Sequence, residues 1–319
     1  MVYGPHFTEK ELKILVTGGA GFIASHVADR LIADGHKVAI VDNLSTGNRA
    51  NVNPKAAFYQ MDITDKALAS VFEKEKPDIV NHHAAQIDVR RSVREPAFDA
   101  AVNILGSINI IENCVKFGVK KFIYISSGGA IYGEPQQLPV DEERPAAPLC
   151  PYGISKHTVE HYAELAHMLD GLTYTVLRYA NVYGPRQDPH GEAGVVGIFS
   201  ENLISGLDCT IFGDGLKTRD YVYVDDVVEA NILAMTKGDN DVFNIGRGIE
   251  TTDFEIFDAV RKALGMKVEP KYAEKRKGEI DRIALAAAKA KKILGWSPKI
   301  GVEEGIRRAV AFYRKKLGK

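Results

Sequence analysis

The chain has little of what several protein classes require. Its three cysteines, Cys114, Cys150 and Cys209, are odd in number and widely spaced, so they support neither a disulfide framework nor a zinc site. Bland buried or half-buried thiols are the expected reading. No apolar run reaches the roughly 18 residues of a membrane span, and the amino terminus lacks the charged-then-apolar order of a secretory signal. Neither sign of charge is in excess: 41 basic residues stand against 42 acidic ones, without the clustered basic stripe of a nucleic-acid binder. Internal repeats and low-complexity linkers are also missing. A cytoplasmic enzyme with no membrane or nucleic-acid partner is the default expectation, and 319 residues, 45% of them hydrophobic, suffice for one large core or two smaller ones.

After a polar lead-in, Met1 to Leu12, short β-branched runs alternate with helical stretches. The runs are Lys13–Val16, Val38–Val41, Phe58–Tyr59, Ile79–Val80 and Phe122–Ile125. Segments such as Phe22–Ala33 and Leu68–Glu75 between them carry apolar residues at helical spacing, and a strand Tyr174–Leu177 follows a helix Tyr152–Leu169. Buried parallel strands read as such runs, so the expected fold is α/β, a doubly wound (Rossmann) parallel sheet. Beyond Ala180 the rhythm breaks into short strands (Thr210–Phe212, Tyr221–Val224, Val242–Ile245) and helices near Ile198–Ile204, Val227–Met235, Phe254–Leu264 and Val302–Lys316. That predicts a domain over 1–180 and a smaller, mixed α/β substrate domain over 181–319, with an interwoven boundary. Five of the 13 prolines fall in Pro135–Pro151, which excludes regular helix or central strand there and predicts an ordered loop beside the site.

Gly18-Gly19-Ala20-Gly21-Phe22-Ile23-Ala24 follows the first strand and opens a helix. Glycines at that turn let a pyrophosphate approach the backbone and rest on the helix N-terminus, with Gly18, Gly21, Phe22 and Ile23 nearest to it. Asp42 ends the second strand roughly 20 residues later, where a carboxylate accepts hydrogen bonds from an adenosine ribose and repels a 2′-phosphate. NAD is therefore favoured over NADP; the alternative for Asp42 is a turn residue helped by Asn43. Asp62, followed by Ile63, is placed to meet an adenine or else to cap the next helix.

Tyr152-Gly153-Ile154-Ser155-Lys156 sets a phenol and an ammonium four residues apart, on one helix face. A tyrosine with an unperturbed pKa near 10 is a poor base; bringing it to about 7 takes roughly 4 kcal/mol of differential stabilisation. A neighbouring ammonium and a positive nicotinamide ring in a partly dry site are able to supply it.

With these motifs in order, the chain resembles the UDP-glucose 4-epimerases of the extended short-chain dehydrogenase/reductase superfamily. The likeness runs from Lys13 onward and includes Thr17–Ala24, Asp42–Gly47, His83-Ala84-Ala85-Gln86, Ser126–Gly133, Tyr152–Lys156, Arg178–Gln187, Thr218–Tyr221 and Arg276–Glu279. It implies an isomerase that retains NAD and inverts carbon 4 of a UDP-hexose through a 4-keto sugar. Tyr152 would be the acid/base, and Lys156 would bind the nicotinamide ribose and tune Tyr152. Asn43, Asp62, Ile63, Ala84 and Ala85 would line the cofactor cleft. Asn181 and Arg219 would hold the diphosphate, Arg276 and Glu279 the nucleotide's phosphate and ribose, with Thr210 and Phe212 near the uracil. Arg219 paired with Asp220 is the plainer alternative. Ile283 would line the pocket for the sugar's 2-substituent, or else be a core isoleucine. The resemblance also implies a homodimer paired through helices around Phe98–Phe117 and Tyr152–Leu169, hiding Ile104, Ile108 and Ile111.

Two departures matter. The glycine pattern ends in Ala24. The Ser or Thr that many relatives carry four residues before Tyr132 is replaced by Gly128, leaving Ser127, with Ser126 beside it, as the candidate hydroxyl. Gly129 and Ala130 stand where related dehydratases and decarboxylases carry carboxylates, so carboxylate-assisted elimination lacks its acid. His82 and His83 are adjacent on a strand and face opposite ways, which excludes one shared metal site; no metal is expected. A UDP-N-acetylhexosamine or UDP-uronic acid epimerase, a sugar-nucleotide reductase or dehydrogenase, and an NAD-sensing non-enzyme stay open as alternatives.

Overall fold

The computed structural model describes residues 11–189, 194–275 and 280–319. Six strands form in residues 11–179: β1 (Lys13–Thr17), β2 (Lys37–Asp42), β3 (Ala57–Gln60), β4 (Ile79–His82), β5 (Lys121–Ser127) and β6 (Thr173–Tyr179). Both faces of the sheet are covered, and side chains along each strand alternate between two cores. Ile14 and Val16 of β1, with Val38 and Ile40 of β2, enter one core; Leu15, Ala39 and Val41 enter the other. Such strands read as continuous apolar runs because each face is buried in turn.

The intervening helices are α1 (Phe22–Ala33), α2 (Leu68–Glu75), α3 (Val89–Arg94), α4 (Pro96–Ala100), α5 (Gly106–Lys116), α6 (Gly128–Ile131) and α7 (Pro151–Asp170), with one π turn, Ala101–Leu105, joining α4 to α5. Pro151 opens α7 and Gly171, left-handed at φ 73°, ends it, the expected asymmetry of helix termini. Residues 135–150, the proline-rich stretch, form no helix or strand of more than a single bridge.

The later elements are β7 (Asn181–Tyr183), α8 (Val195–Ser205), β8 (Thr210–Phe212), β9 (Thr218–Tyr223), α9 (Val224–Ala234), β10 (Asp241–Ile245), β11 (Glu250–Thr252), α10 (Asp253–Leu264), β12 (Lys271–Ala273), α11 (Ala288–Ile293) and α12 (Val302–Lys316). The large sheet has seven parallel strands in the order β10-β6-β5-β4-β1-β2-β3. Strand order reverses between β1 and β4, so a crevice opens at their carboxyl ends, the position where doubly wound sheets take ligands.

Two sequence expectations need correction here. Val242–Ile245, grouped with the short strands of the second half, is β10 and pairs with β6 at the edge of the first sheet; α9 likewise packs on α1. The chain therefore returns to the first layer after β7, β8 and β9. The second correction concerns α5: Ile111 is buried in the chain's own core and has no face left for a partner. The remaining second-half elements form β11-β9-β7 and β12-β8, packed with α8, α10 and α12 around a separate core that includes Phe199, Phe257 and Tyr313.

Candidate active site

The Gly turn fits the backbone before it fits a ligand. Gly18 has φ 69°, and a Cβ there would lie 2.8 Å from the Ala84 nitrogen, so any other residue would be strained and would push apart the β1 and β4 loops. Ala84 N donates to Thr17 Oγ1 at 3.1 Å, fixing the second loop against the first. Gly21 is the N-cap of α1, with no side-chain cap and no acidic residue in the first turn. The amides of Phe22 and Ile23 thus begin a helix whose positive end has no cap side chain and no first-turn carboxylate among the described residues, as suits a pyrophosphate.

Asp42 is buried and accepts from Ala20 N at 2.9 Å through Oδ2 and from Leu44 N at 2.8 Å through Oδ1. It holds the turn together, and each oxygen keeps lone-pair capacity for ribose hydroxyls. Asn43 donates to Asp62 at 2.7 Å. Burial opposes ionisation of Asp62, but hydrogen bonds from Thr64 and Asn43 outweigh it and hold the carboxyl below its ordinary value. Asp62 bonds Thr64 rather than capping α2, whose N-cap is Ala67. Ile63 is buried, and its carbonyl accepts from Asn109 at 2.7 Å.

On α7, Lys156 is only 4% exposed. Its Nζ donates to the Ile125 carbonyl at 2.8 Å and lies 5.1 Å from the Tyr124 ring centre. Desolvation pulls its pKa down to about 8, against the attraction of Asp99 and Glu160. The bond to Ile125 ties α7 to β5 two residues before Ser127, one helical turn below Tyr152. Tyr152 is half-buried, and its amide donates to Ser92 Oγ at 3.2 Å.

Ser126 and Ser127 differ in availability. Ser126 is buried and donates to Glu160 Oε1 at 2.6 Å. Ser127 has no side-chain hydrogen bond among the described residues; its Oγ and Asn181 Oδ1 flank the same space above Gly129, 4.0 and 3.6 Å from where a Cβ would stand. A Cβ at Gly128 would collide with Leu285 Cδ1, so Leu285 fills the volume that a side chain at that position would take.

The remaining predicted residues fall into four groups. Arg219, half-buried on β9, donates to the Thr218 carbonyl at 2.8 Å and makes no ion pair with Asp220. Asp220 instead accepts from the amides of Arg247, Gly248 and Leu285. Thr210 and Phe212 are the ends of β8, beside β12. Arg276 and Glu279 lie outside the described residues. Ile283 is a correction: at 2% exposure, within a cluster of Ile131, Tyr132, Val140 and Leu285, it has almost no surface to offer a sugar.

His82 and His83 do face opposite ways. His82 bonds Thr17 Oγ1 at 2.6 Å and Ser107 Oγ at 2.9 Å, while His83 packs near Tyr179 and Asn231, its buried Nε2 without a partner among the described residues. Burial, then the Lys156 charge, pushes the His83 pKa down to about 3, so the ring is neutral. Among the described residues no group of three or more His, Cys, Asp or Glu is arranged to hold a metal ion, and no helix is long and apolar enough to cross a membrane.

Two supporting networks were not foreseen. Asp99, buried between α4 and α7, accepts from Ser155 Oγ at 2.7 Å, Gln86 Nε2 at 2.9 Å and Asn103 Nδ2 at 3.0 Å, which locks α7 to the loop after β4. Glu160, one turn beyond Lys156, pairs with Arg178 at 2.5 Å, and Arg178 also donates to Tyr132 at 2.7 Å. The legible signal for the second was a carboxylate four residues after Lys156, on the same helix face.

The sequence profile of the NAD dependent epimerase/dehydratase family matches residues 14–246. The chain belongs to that family. A UDP-glucose 4-epimerase of Mycolicibacterium smegmatis is 44% identical over 96% of this chain and 99% of its own. The crystal structure of a UDP-glucose 4-epimerase with UDP-glucose from Thermotoga maritima superposes with a TM-score of 0.95 at 52% identity, over 96% of this chain and 100% of that one. A Thermus thermophilus UDP-glucose 4-epimerase in complex with NAD gives 0.91 at 44%, over 95% and 99%.

Proposed function

We propose that the protein is an isomerase that interconverts UDP-hexoses at carbon 4, UDP-glucose and UDP-galactose first among them, with NAD as a retained cofactor. The observation that supports the reading is the α7–β5 lock: Lys156 is buried and bonded to Ile125, which ties the helix that carries Tyr152 to the strand that ends at Ser127. The chain's residues fit the cofactor. The uncapped start of α1 suits the pyrophosphate and Asp42 suits the ribose. NAD, when bound, would supply reversible hydride acceptance.

Tyr152 takes the proton of the 4-hydroxyl and later returns it. Lys156 stabilises the phenolate by its charge in a dry setting, and Ser127 shares the hydroxyl's hydrogen bond. Asn181 and Arg219 hold the diphosphate while the 4-keto sugar turns over and presents its other face. Thr210 and Phe212, with Arg276 and Glu279, serve the nucleotide. The absence of a carboxylate at Gly129 and Ala130 favours epimerisation over dehydration within the same family. The protein is also proposed to work as a homodimer.

The test is incubation of purified protein with a panel of UDP-sugars, without added NAD, followed by chromatography. Conversion of UDP-galactose to UDP-glucose without net NADH is expected. Accumulating NADH would mean a dehydrogenase, conversion confined to N-acetyl or uronic sugars would move the substrate, and NAD binding with no conversion at all would mean a sensor.

A further inference from the structure

His157 and His161 stand one turn apart on the outward side of α7, with ring centres 4.6 Å apart and planes inclined by 66°. Their Nε2 atoms face each other at 3.3 Å. Two imidazole nitrogens bound to one tetrahedral zinc ion at about 2.05 Å are about 3.3–3.4 Å apart, whereas a right-angled geometry brings them to about 2.9 Å. In the metal-free chain this contact is a hydrogen bond between the two rings, and its length matches the edge of a tetrahedral site, so an ion could take the place of the shared proton. His–His pairs four residues apart on a helix are also the simplest chelate a helix can present.

A second, independent feature supports this. His157 Nδ1 lies 3.1 Å from Glu160 Oε2, and that carboxylate is itself fixed by Arg178 and Ser126. A carboxylate at Nδ1 keeps the proton there and leaves the His157 Nε2 lone pair directed towards His161 Nε2, the arrangement that orients metal-binding histidines. His161 is exposed and His157 is partly so. No third His, Cys, Asp or Glu completes a cluster among the described residues, so two coordination positions remain for water or a second copy of the chain.

We propose that His157 and His161 chelate a divalent transition-metal ion of the zinc class, outside the reaction centre. The site does not depend on the catalytic reading. It does lie on the face of α7 through which dimerisation is proposed, and a second copy would either leave it open or add ligands of its own.

The test uses the untagged full-length protein, stripped with a chelator and titrated with Zn²⁺ alone by calorimetry, and with Co²⁺ for its visible spectrum. Saturable binding is expected, with the intense absorption of tetrahedral cobalt and a loss of affinity of at least about tenfold in either His157→Ala or His161→Ala. An ion-to-chain ratio of one or of one half supports the chelate equally, the latter meaning that two copies share an ion. No saturable binding to the wild type overturns the proposal. So does binding undiminished in His161→Ala, whose exposed ring makes it the variant least prone to misfolding and whose circular dichroism serves as the control.

Discussion

At the scale of single residues, the site separates groups that touch substrate from groups that hold others in place. Tyr152→Phe keeps the ring and removes the proton carrier, so turnover should fall by a factor on the order of 10² to 10⁴ with NAD binding intact; a progress curve on UDP-galactose beside a cofactor titration checks both. The two serines offer a sharper contrast. Ser126 is spent on Glu160, while Ser127 keeps its hydroxyl for the cleft. Ser127→Ala should therefore lower kcat more than Ser126→Ala, which should act mainly on stability; equal small effects on kcat would mean that the site runs without a serine. Ile283 shows where sequence reasoning stopped. Its distance along the chain from Glu279 pointed to the sugar pocket, but only packing against Ile131 and Leu285 reveals a core residue. Ile283→Ser should behave as a cavity mutation costing about 2–5 kcal/mol, visible as a lowered unfolding midpoint, rather than as a switch towards N-acetyl sugars. An unchanged midpoint with altered sugar preference would restore the pocket assignment.

At the scale of elements, most of the site was legible because its motifs are local. The Gly turn, Asp42 at a strand end and the Tyr152/Lys156 pair each lie within one strand–turn–helix unit. The Asp99 and Glu160 networks were not, because Ser155, Gln86 and Asn103, or Ser126 and Arg178, meet only once the sheet order is known. The place of β10 was illegible for the same reason: its residues encode a strand, and nothing local encodes its pairing with β6. The burden on α7 has a pH signature. Lys156 titrates at about 8 in the folded chain against 10.5 for an ordinary lysine, a difference worth about 3 kcal/mol. Below pH 8 both folded and unfolded chains carry the charge, and its burial opposes folding in full. Between pH 8 and 10.5 the unfolded chain binds the proton more than the folded one, so stability rises with pH. Lys156→Met, which keeps an apolar stem, should be more stable than the wild type at pH 7, and the gap should close as the pH approaches 10.5. Urea unfolding of both proteins across that range reads it; a gap independent of pH would mean that the ammonium is solvated in solution.

At the scale of the whole molecule, the question is what covers the outer side of α7. Ile154, Leu165, Met168 and Leu169 on that helix are 45–73% exposed, and Val93 and Leu105, on the neighbouring α3 and π turn, are each 61% exposed. These elements pack against one another, so the apolar side chains share one surface rather than lying scattered, and a contiguous apolar surface of that kind marks an interaction site. A second copy is the simplest cover, since a two-fold interface uses the same patch on both sides. Of the residues the sequence-level expectation named, Ile111 turns into the core, and the exposed positions on these elements include Leu105 on the π turn and the α7 set. The native mass at micromolar concentration should be twice the 35.0 kDa of the chain. Leu165→Glu with Met168→Glu places charges in the middle of the patch, where each would meet its two-fold mate or apolar neighbours and be left unpaired. That double variant should sediment as a monomer while its far-ultraviolet circular dichroism stays unchanged, because both side chains are already in water within one chain. A wild-type monomer, or a dimer that survives both charges, would assign the pairing surface elsewhere.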